Sequence, residues 1–190
     1  MVIEIKNLSK NYGGAQVLDN LSLTLTSHRP VCLMGPSGRG KTTLFNILLG
    51  LLKADAGEIT GVENAKFSAV FQEDRLCEQL SALMNVAIVL DNPDKKRITE
   101  QLIKMGLAED EIHRPVSQLS GGQKRRVAIL RALASASDAV LMDEPFKGLD
   151  EDTRLQVIRQ VKENLNGRLL MVITHNEEDA VALGATVVNL

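Results

Sequence analysis

Apolar and polar residues alternate with a period of two near the start of the chain, at Ile3 and Ile5 and again at Leu21, Leu23 and Leu25. That period suits strands with one buried and one wet face, and Gly13-Gly14 between the two runs supplies a turn. The pattern predicts an antiparallel pair. Val31 to Met34 is short and wholly apolar, as expected of a strand covered on both faces, and it runs into a glycine-rich loop. Beyond the loop, Leu44, Ile47, Leu48 and Leu51 fall on one face of a helix. Lys66 to Phe71 is a further strand candidate.

From Gln72 to about Leu130 the spacing is helical, with Ile98, Leu102 and Met105 marking one helix that Gly106 stops. Strand and helix patterns then alternate: Ala139 to Asp143, Leu155 to Leu165 ending at Gly167, Leu169 to Thr174, Glu177 to Leu183, and Thr186 to Leu190. Such alternation implies crossover connections and a mainly parallel sheet, hence an α/β fold. There is no internal repeat and no linker rich in Pro, Gly or Ser.

Composition narrows the class. The 190 residues are 44% hydrophobic and 24% charged, enough apolar material for one domain with a buried core. The net charge of −2 argues against a protein that coats nucleic acid, and 3% aromatic residues leave little material for stacking bases. Cys32 and Cys77 show neither metal-ligand nor redox spacing, which favours a reducing compartment. No signal peptide is expected from the alternating N-terminus. Leu44 to Leu52 is the most apolar stretch, far short of the roughly 20 residues of a membrane-spanning helix.

Gly35-Pro36-Ser37-Gly38-Arg39-Gly40-Lys41-Thr42 fits the phosphate-binding pattern G-x-x-x-x-G-K-[ST], between a predicted strand and a predicted helix. Glycines let such a loop turn several N–H groups inward toward phosphate oxygens, and the helix N-terminus adds positive potential. Lys41 can reach the β- and γ-phosphates of a nucleotide, and Thr42 can ligate Mg²⁺. Thr43 extends the cradle. Ala139 to Met142 is an apolar strand delivering Asp143 and Glu144 at its C-terminal end, where ligands bind in open α/β sheets. There Asp143 can hold the metal and Glu144 can act as general base on water. Taken alone, such a strand can equally end in a helix cap.

Leu119-Ser120-Gly121-Gly122-Gln123 precedes a helix expected from Lys124 to about Ala134. Ser120 is a natural N-cap, and the paired glycines leave backbone amides open to an anion. Placed after the phosphate loop and before the acidic strand, these residues resemble the signature of ATP-binding-cassette ATPases, and the resemblance covers essentially the whole chain. It implies a P-loop NTPase core with an N-terminal antiparallel β subdomain. Residues 1–72 and 131–190 would form that core, and 73–130 an inserted helical subdomain, all within one ATPase domain, 1–190.

The resemblance also implies roles for single residues. Tyr12 would stack on adenine, although the same ring suits a half-buried strand end. Gln72 would touch Mg²⁺ and the attacking water, although Gln at a strand end is ordinarily solvated. His175 would contact the γ-phosphate, where a lone His is more often structural; for His28 and His113 the structural role is the expectation. Asp150, in Gly148-Leu149-Asp150, would cross to a second subunit. Arg39 and Lys147 depart from the family's commoner small residues, and the stop at Leu190 implies that no C-terminal regulatory domain follows.

Val70-Phe71-Gln72-Glu73-Asp74 and Asp143-Glu144-Pro145-Phe146 look like importer ATPases of the nitrate, sulfonate and taurine group. The implied assembly is a homodimer formed on ATP binding, each ATP lying between one chain's loop and the other's Ser120 to Gln123. It would sit in the cytoplasm on the inner face of the membrane, docked on integral-membrane permease subunits and served indirectly by a solute-binding protein. No nucleic acid partner is expected. The rival readings are a cassette ATPase acting on nucleic acid or ribosomes, which commonly carries two cassettes or long arms, and a nucleotide kinase or non-hydrolytic module. Permease docking is expected at Glu73 to Leu90, an apolar stretch with Leu76, Leu80, Leu83, Met84, Val86, Ile88, Val89 and Leu90.

Overall fold

The computed structural model describes residues 1–190. They form two compact units: Met1–Phe67 with Ser137–Asp143 and Gly167–Leu190, and Ser68–Ala136 with Glu144–Asn166.

In the first unit, β1 (Val2–Tyr12) and β2 (Ala15–Thr26) pair antiparallel, with Tyr12 opposite Ala15. Gly13 and Gly14 close the hairpin at φ 55° and 92°, the left-handed pair that a two-residue turn needs. Of the positions read at period two, Ile3, Ile5 and Leu25 are buried, and Leu21 and Leu23 are half-buried, alternating with exposed Ser22 and Thr24; Leu8 and Leu18 join the buried face. After Ile5 the register slips where Asn7 takes φ 50°, and Leu8 rather than Asn7 turns inward.

A third strand, β4 (Ala56–Thr60), pairs with β1 and is not visible in the apolar pattern. It has one large apolar residue, Ile59, and its order comes from main-chain bonding to β1.

The second sheet has the strand order β5-β6-β7-β3-β8. These strands are β3 (Val31–Met34), β5 (Phe67–Val70), β6 (Ala139–Asp143), β7 (Leu169–Ile173) and β8 (Thr186–Asn189). Every residue of β3, β6 and β7 is buried, which explains why they read as continuous apolar runs. The pairings β6–β7, β7–β3 and β3–β8 are parallel, with Asp143 beside Ile173 and Ile173 beside Leu33. That register brings the carboxyl ends of three strands to one line. Helix α1 (Lys41–Leu48) follows β3, and α7 (Glu177–Leu183) follows β7. Leu51 does not belong to the buried face expected of it: α1 stops at Leu48, Gly50 turns the chain at φ 69°, and Leu51 is 61% exposed.

The second unit is helical, with α2 (Ala82–Ala87), α3 (Lys95–Lys104), α4 (Glu109–Ile112), α5 (Gly121–Ala134) and α6 (Glu151–Asn164). Its interior includes Val86, Ile98, Leu102, Ile112, Val127, Leu130 and Val157. Helix α3 matches the expected Ile98, Leu102, Met105 face and ends before Gly106 at φ 84°. Helices α5 and α6 start a turn earlier than the apolar spacing suggests, because Ser120 and Asp150 cap polar first turns. Asn85 is fully buried. Its amide N–H groups donate to the carbonyls of Cys77, Leu80 and Ser81, and its Oδ1 accepts from the Cys77 N–H. No helix is long and apolar enough to cross a membrane.

Candidate active site

In the first unit the loop after β3 is shaped by steric demands on two glycines. A Cβ at Gly35 would lie 2.4 Å from the Leu190 carbonyl oxygen, and one at Gly40 would lie 2.5 Å from the Leu18 side chain and 2.6 Å from the Val17 carbonyl oxygen. Both residues also have positive φ, 126° and 86°. Pro36, Ser37, Gly38 and Arg39 are exposed at the loop's crest, whereas Gly40 is buried beneath it. Gly40 caps α1 without a side-chain bond, and no acidic residue occupies the first turn. The amides and positive dipole end of α1 are therefore left to an anion.

Lys41 is 6% exposed, and its ammonium donates to the carbonyls of Gly35 at 2.7 Å and Pro36 at 2.8 Å. The cation is thus folded against its own loop, held by two of its three donors. Thr42 Oγ1 donates to Asp143 Oδ2 at 3.0 Å across 101 residues of sequence, and Asp143 is 4% exposed. Thr43 is half-buried on α1. No group of three or more His, Cys, Asp and Glu side chains suited to a metal exists. One hydroxyl and one carboxylate do fit Mg²⁺, which binds through few protein oxygens and takes its other positions from phosphate and water.

His175 is exposed on the turn after β7. That turn is pinned by Thr174, whose hydroxyl donates to buried Asp179 at 2.6 Å and accepts from the Asn176 N–H at 3.1 Å. Asp179 also adds to the pressure on Cys32, where burial first and then this carboxylate push the thiol up to about 12. Tyr12 is the last residue of β1 and is 48% exposed, a half-buried ring at a strand end. The Lys10 ammonium lies 5.7 Å from its ring centroid and donates to Asp55 at 2.6 Å. The Lys10 hydrogen bond first, then the Asn11 amide, hold the Asp55 carboxyl below its ordinary value.

In the second unit Ser120 and Gln123 cap α5 reciprocally: the Gln123 N–H donates to Ser120 Oγ at 3.3 Å, and the Ser120 N–H donates to Gln123 Oε1 at 2.7 Å. Gln123 Nε2 donates to Glu111 on α4 at 2.5 Å. Nothing lies within 4 Å of a Cβ built on Gly121, whereas one on Gly122 would meet Leu149 at 3.3 Å. Asp150 accepts from the Thr153 N–H at 2.9 Å as the N-cap of α6, and that bond first holds its carboxyl low. Gln72 is exposed just beyond β5, its carbonyl accepting from Arg125. Glu144 has φ 47°, rare for a residue with a side chain, and its carboxylate lies 2.8 Å from the Lys147 ammonium.

Tyr12, the loop from Gly35 to Thr43, Asp143 and His175 thus belong to the first unit. Gln72, Ser120 to Gln123, Glu144 and Asp150 belong to the second, the chain passing between units at the Asp143–Glu144 bond. Sequence reasoning does not find Glu111, Arg125 or the Thr174–Asp179 pair, and it marks Lys147 only as a departure from the family's pattern, not as the partner of Glu144. Only the capping-box spacing of Ser120 and Gln123 hints at a supporting shell.

Residues 18–147 match the family model described as ABC transporter. The chain belongs to the ABC transporter family. The sulfate/thiosulfate import ATP-binding proteins CysA of Yersinia pestis and of Escherichia coli K12 are each 37% identical to it over 99% of this chain and 57% of their own length. That of Pseudomonas syringae pv. tomato is 35% identical over 99% of this chain and 64% of its own. The chain therefore spans about 57 to 64% of the length of these relatives. Among solved structures, the ATP-binding cassette MJ0796, a dimer in a post-hydrolysis state bound to ADP and Pi, superimposes with TM-score 0.85 at 31% identity, covering 99% of this chain and 94% of that one. The α/β architecture expected from the sequence is that of this ABC transporter cassette.

Proposed function

We propose that this ABC transporter chain binds and hydrolyses ATP with Mg²⁺ and drives import of a solute through a separate membrane permease. The observation that carries the reading is the Thr42–Asp143 hydrogen bond, which sets a hydroxyl and a buried carboxylate side by side next to an anion-accepting helix end. Bound Mg²⁺ would supply charge neutralisation on the β- and γ-phosphates. Lys41 exchanges loop carbonyls for phosphate oxygens, Gln72 and His175 orient water and γ-phosphate, and Glu144 accepts the proton of the attacking water. Tyr12 stacks on the base.

The reading includes a homodimer on ATP binding, with Ser120 to Gln123 and Asp150 of one chain completing the other's site. It also treats residues 73–130 as a helical insert in the nucleotide-binding core. Import is favoured by the relatives named for sulfate and thiosulfate import. Those names favour sulfate and thiosulfate over nitrate, sulfonate and taurine, and a binding protein would deliver the solute to the permease. The chain would lie in the cytoplasm, peripheral to the membrane. Permease contact is placed on Met84, Ile88 and Val89, which are 40%, 60% and 38% exposed; Leu83 and Val86 of the same stretch pack inward.

The test is Mg²⁺-dependent ATP turnover by the purified chain with its membrane subunits, compared with Lys41→Ala and Glu144→Gln. Turnover that persists in both variants overturns the assignment.

A further inference from the structure

The segment Phe71–Arg75 follows β5 with no helical or strand bonding of its own. Main-chain carbonyls outside helix and sheet take partners from side chains or water, and here four of the five, those of Phe71, Gln72, Asp74 and Arg75, are met by side chains. Two arginines of α5 supply them. Arg125 Nη1 donates to the Phe71 carbonyl at 2.6 Å, Nη2 donates to the Gln72 carbonyl, and Nε lies 3.1 Å from Asp74 Oδ1. Arg131 donates to the carbonyls of Arg75 at 2.9 Å and Asp74 at 3.2 Å. Arg75 has φ 45° and lays its guanidinium 3.7 Å from the Phe71 ring centroid, closing the turn.

Arg125 is the residue in this set that touches Gln72 itself. Its side chain is 11% exposed, and Asp74, its ion-pair partner, is 21% exposed. Burial, opposed by Arg125, Lys124 and Arg131 in that order, raises the Asp74 carboxyl above its ordinary value. A planar guanidinium can make three directed contacts on one loop; a lysine ammonium on a flexible stem cannot reproduce that fork. Arg125 stands two residues after Gln123, in the helix that Ser120 and Gln123 cap.

We propose that Arg125 is a positioning residue that locks the Gln72 backbone to the start of α5, so that any movement of Ser120 to Gln123 is transmitted to the Gln72 side chain. Its polar contacts go to Phe71, Gln72 and Asp74, and it acts through Gln72. The proposal rests on the reading of Gln72 as a ligand of the reaction, and its structural half stands apart from that reading.

Two measurements on the full chain test it, with Arg125→Lys chosen because it retains charge and stem. The first is amide hydrogen exchange without nucleotide. Residues 72–76 are expected to exchange at least about tenfold faster in Arg125→Lys, while the interior of α3 and α6 keeps its protection. Unchanged exchange in the loop overturns the proposal whether or not the chain hydrolyses ATP.

The second is a cycle of Arg125→Lys and Gln72→Ala read in turnover. Each single change is expected to lower kcat by up to about a hundredfold, the scale of an ångström of misplacement, with KM for ATP within about threefold. The double variant is expected to be no slower than Gln72→Ala alone. Losses that multiply overturn action through Gln72, as does a normal kcat in Arg125→Lys. A wild-type chain with no Mg²⁺-dependent turnover removes the reading of Gln72, and the exchange experiment still decides the clamp.

Discussion

Thr42 on α1 and Asp143 at the end of β6 share a hydrogen bond of 3.0 Å, joining the phosphate loop to the acidic strand inside the parallel sheet unit. Thr42→Val removes the hydroxyl at an exposed position and should leave the fold intact. Mg²⁺-stimulated ATP hydrolysis should fall by about tenfold or more, since one hydrogen-bonding metal ligand is lost. Titration of activity with Mg²⁺ checks this, the half-activating concentration rising.

Glu144→Gln should keep ATP and stop turnover, because an amide of the same shape cannot accept a proton. With hydrolysis blocked, the chain should sediment as a dimer with ATP and as a monomer without it, since ligand and partner binding are linked. An active monomer with no ATP-dependent change of mass contradicts a two-chain site.

Gly40→Ala should destabilise the fold as well as abolish nucleotide binding. Its Cβ would lie 2.5 Å from Leu18 and 2.6 Å from a backbone oxygen at φ 86°, so relief requires movement of β2. A loss of more than about 1 kcal/mol is expected in denaturant unfolding, beyond the gain normally made by restricting the unfolded chain.

Exposed Cys77 should react with a thiol reagent in the native protein at pH 8, and buried Cys32 only after unfolding. The Cys32 thiol titrates at about 12 in the fold against an ordinary value of 9.0. Between those values the unfolded chain has lost the proton that the folded chain keeps, so stability should fall as pH rises above about 9. Urea unfolding of wild type and Cys32→Ala across that range checks the sign, with a shallower decline in the variant.

Docking on the permease predicts that Met84→Glu and Ile88→Glu leave ATP affinity unchanged and reduce transport per ATP hydrolysed. Both side chains are exposed, on α2 and at its C-cap, so the substitutions add charge to surface rather than core. Transport assays in reconstituted vesicles distinguish this from a loss of folding.

Local sequence is enough for features whose physics is local. The Gly13-Gly14 hairpin, the apolar strands β3, β6 and β7, the phosphate loop, and the Ser120 cap each depend on neighbours a few residues away, or on burial visible as an unbroken apolar run. The order of phosphate loop, Leu119 to Gln123 and acidic strand is likewise a linear property of the chain, and it carries the family resemblance by itself. Strand β4 is not legible there, because its stability comes from backbone bonds to β1 rather than from side chains of its own. Nor is the grip of Arg125 on Phe71, Gln72 and Asp74, or that of Glu111 on Gln123. An arginine or glutamate on a polar helix face reads as solvated charge. Only the folding of distant segments against that face supplies the carbonyls and amides that give it a structural task.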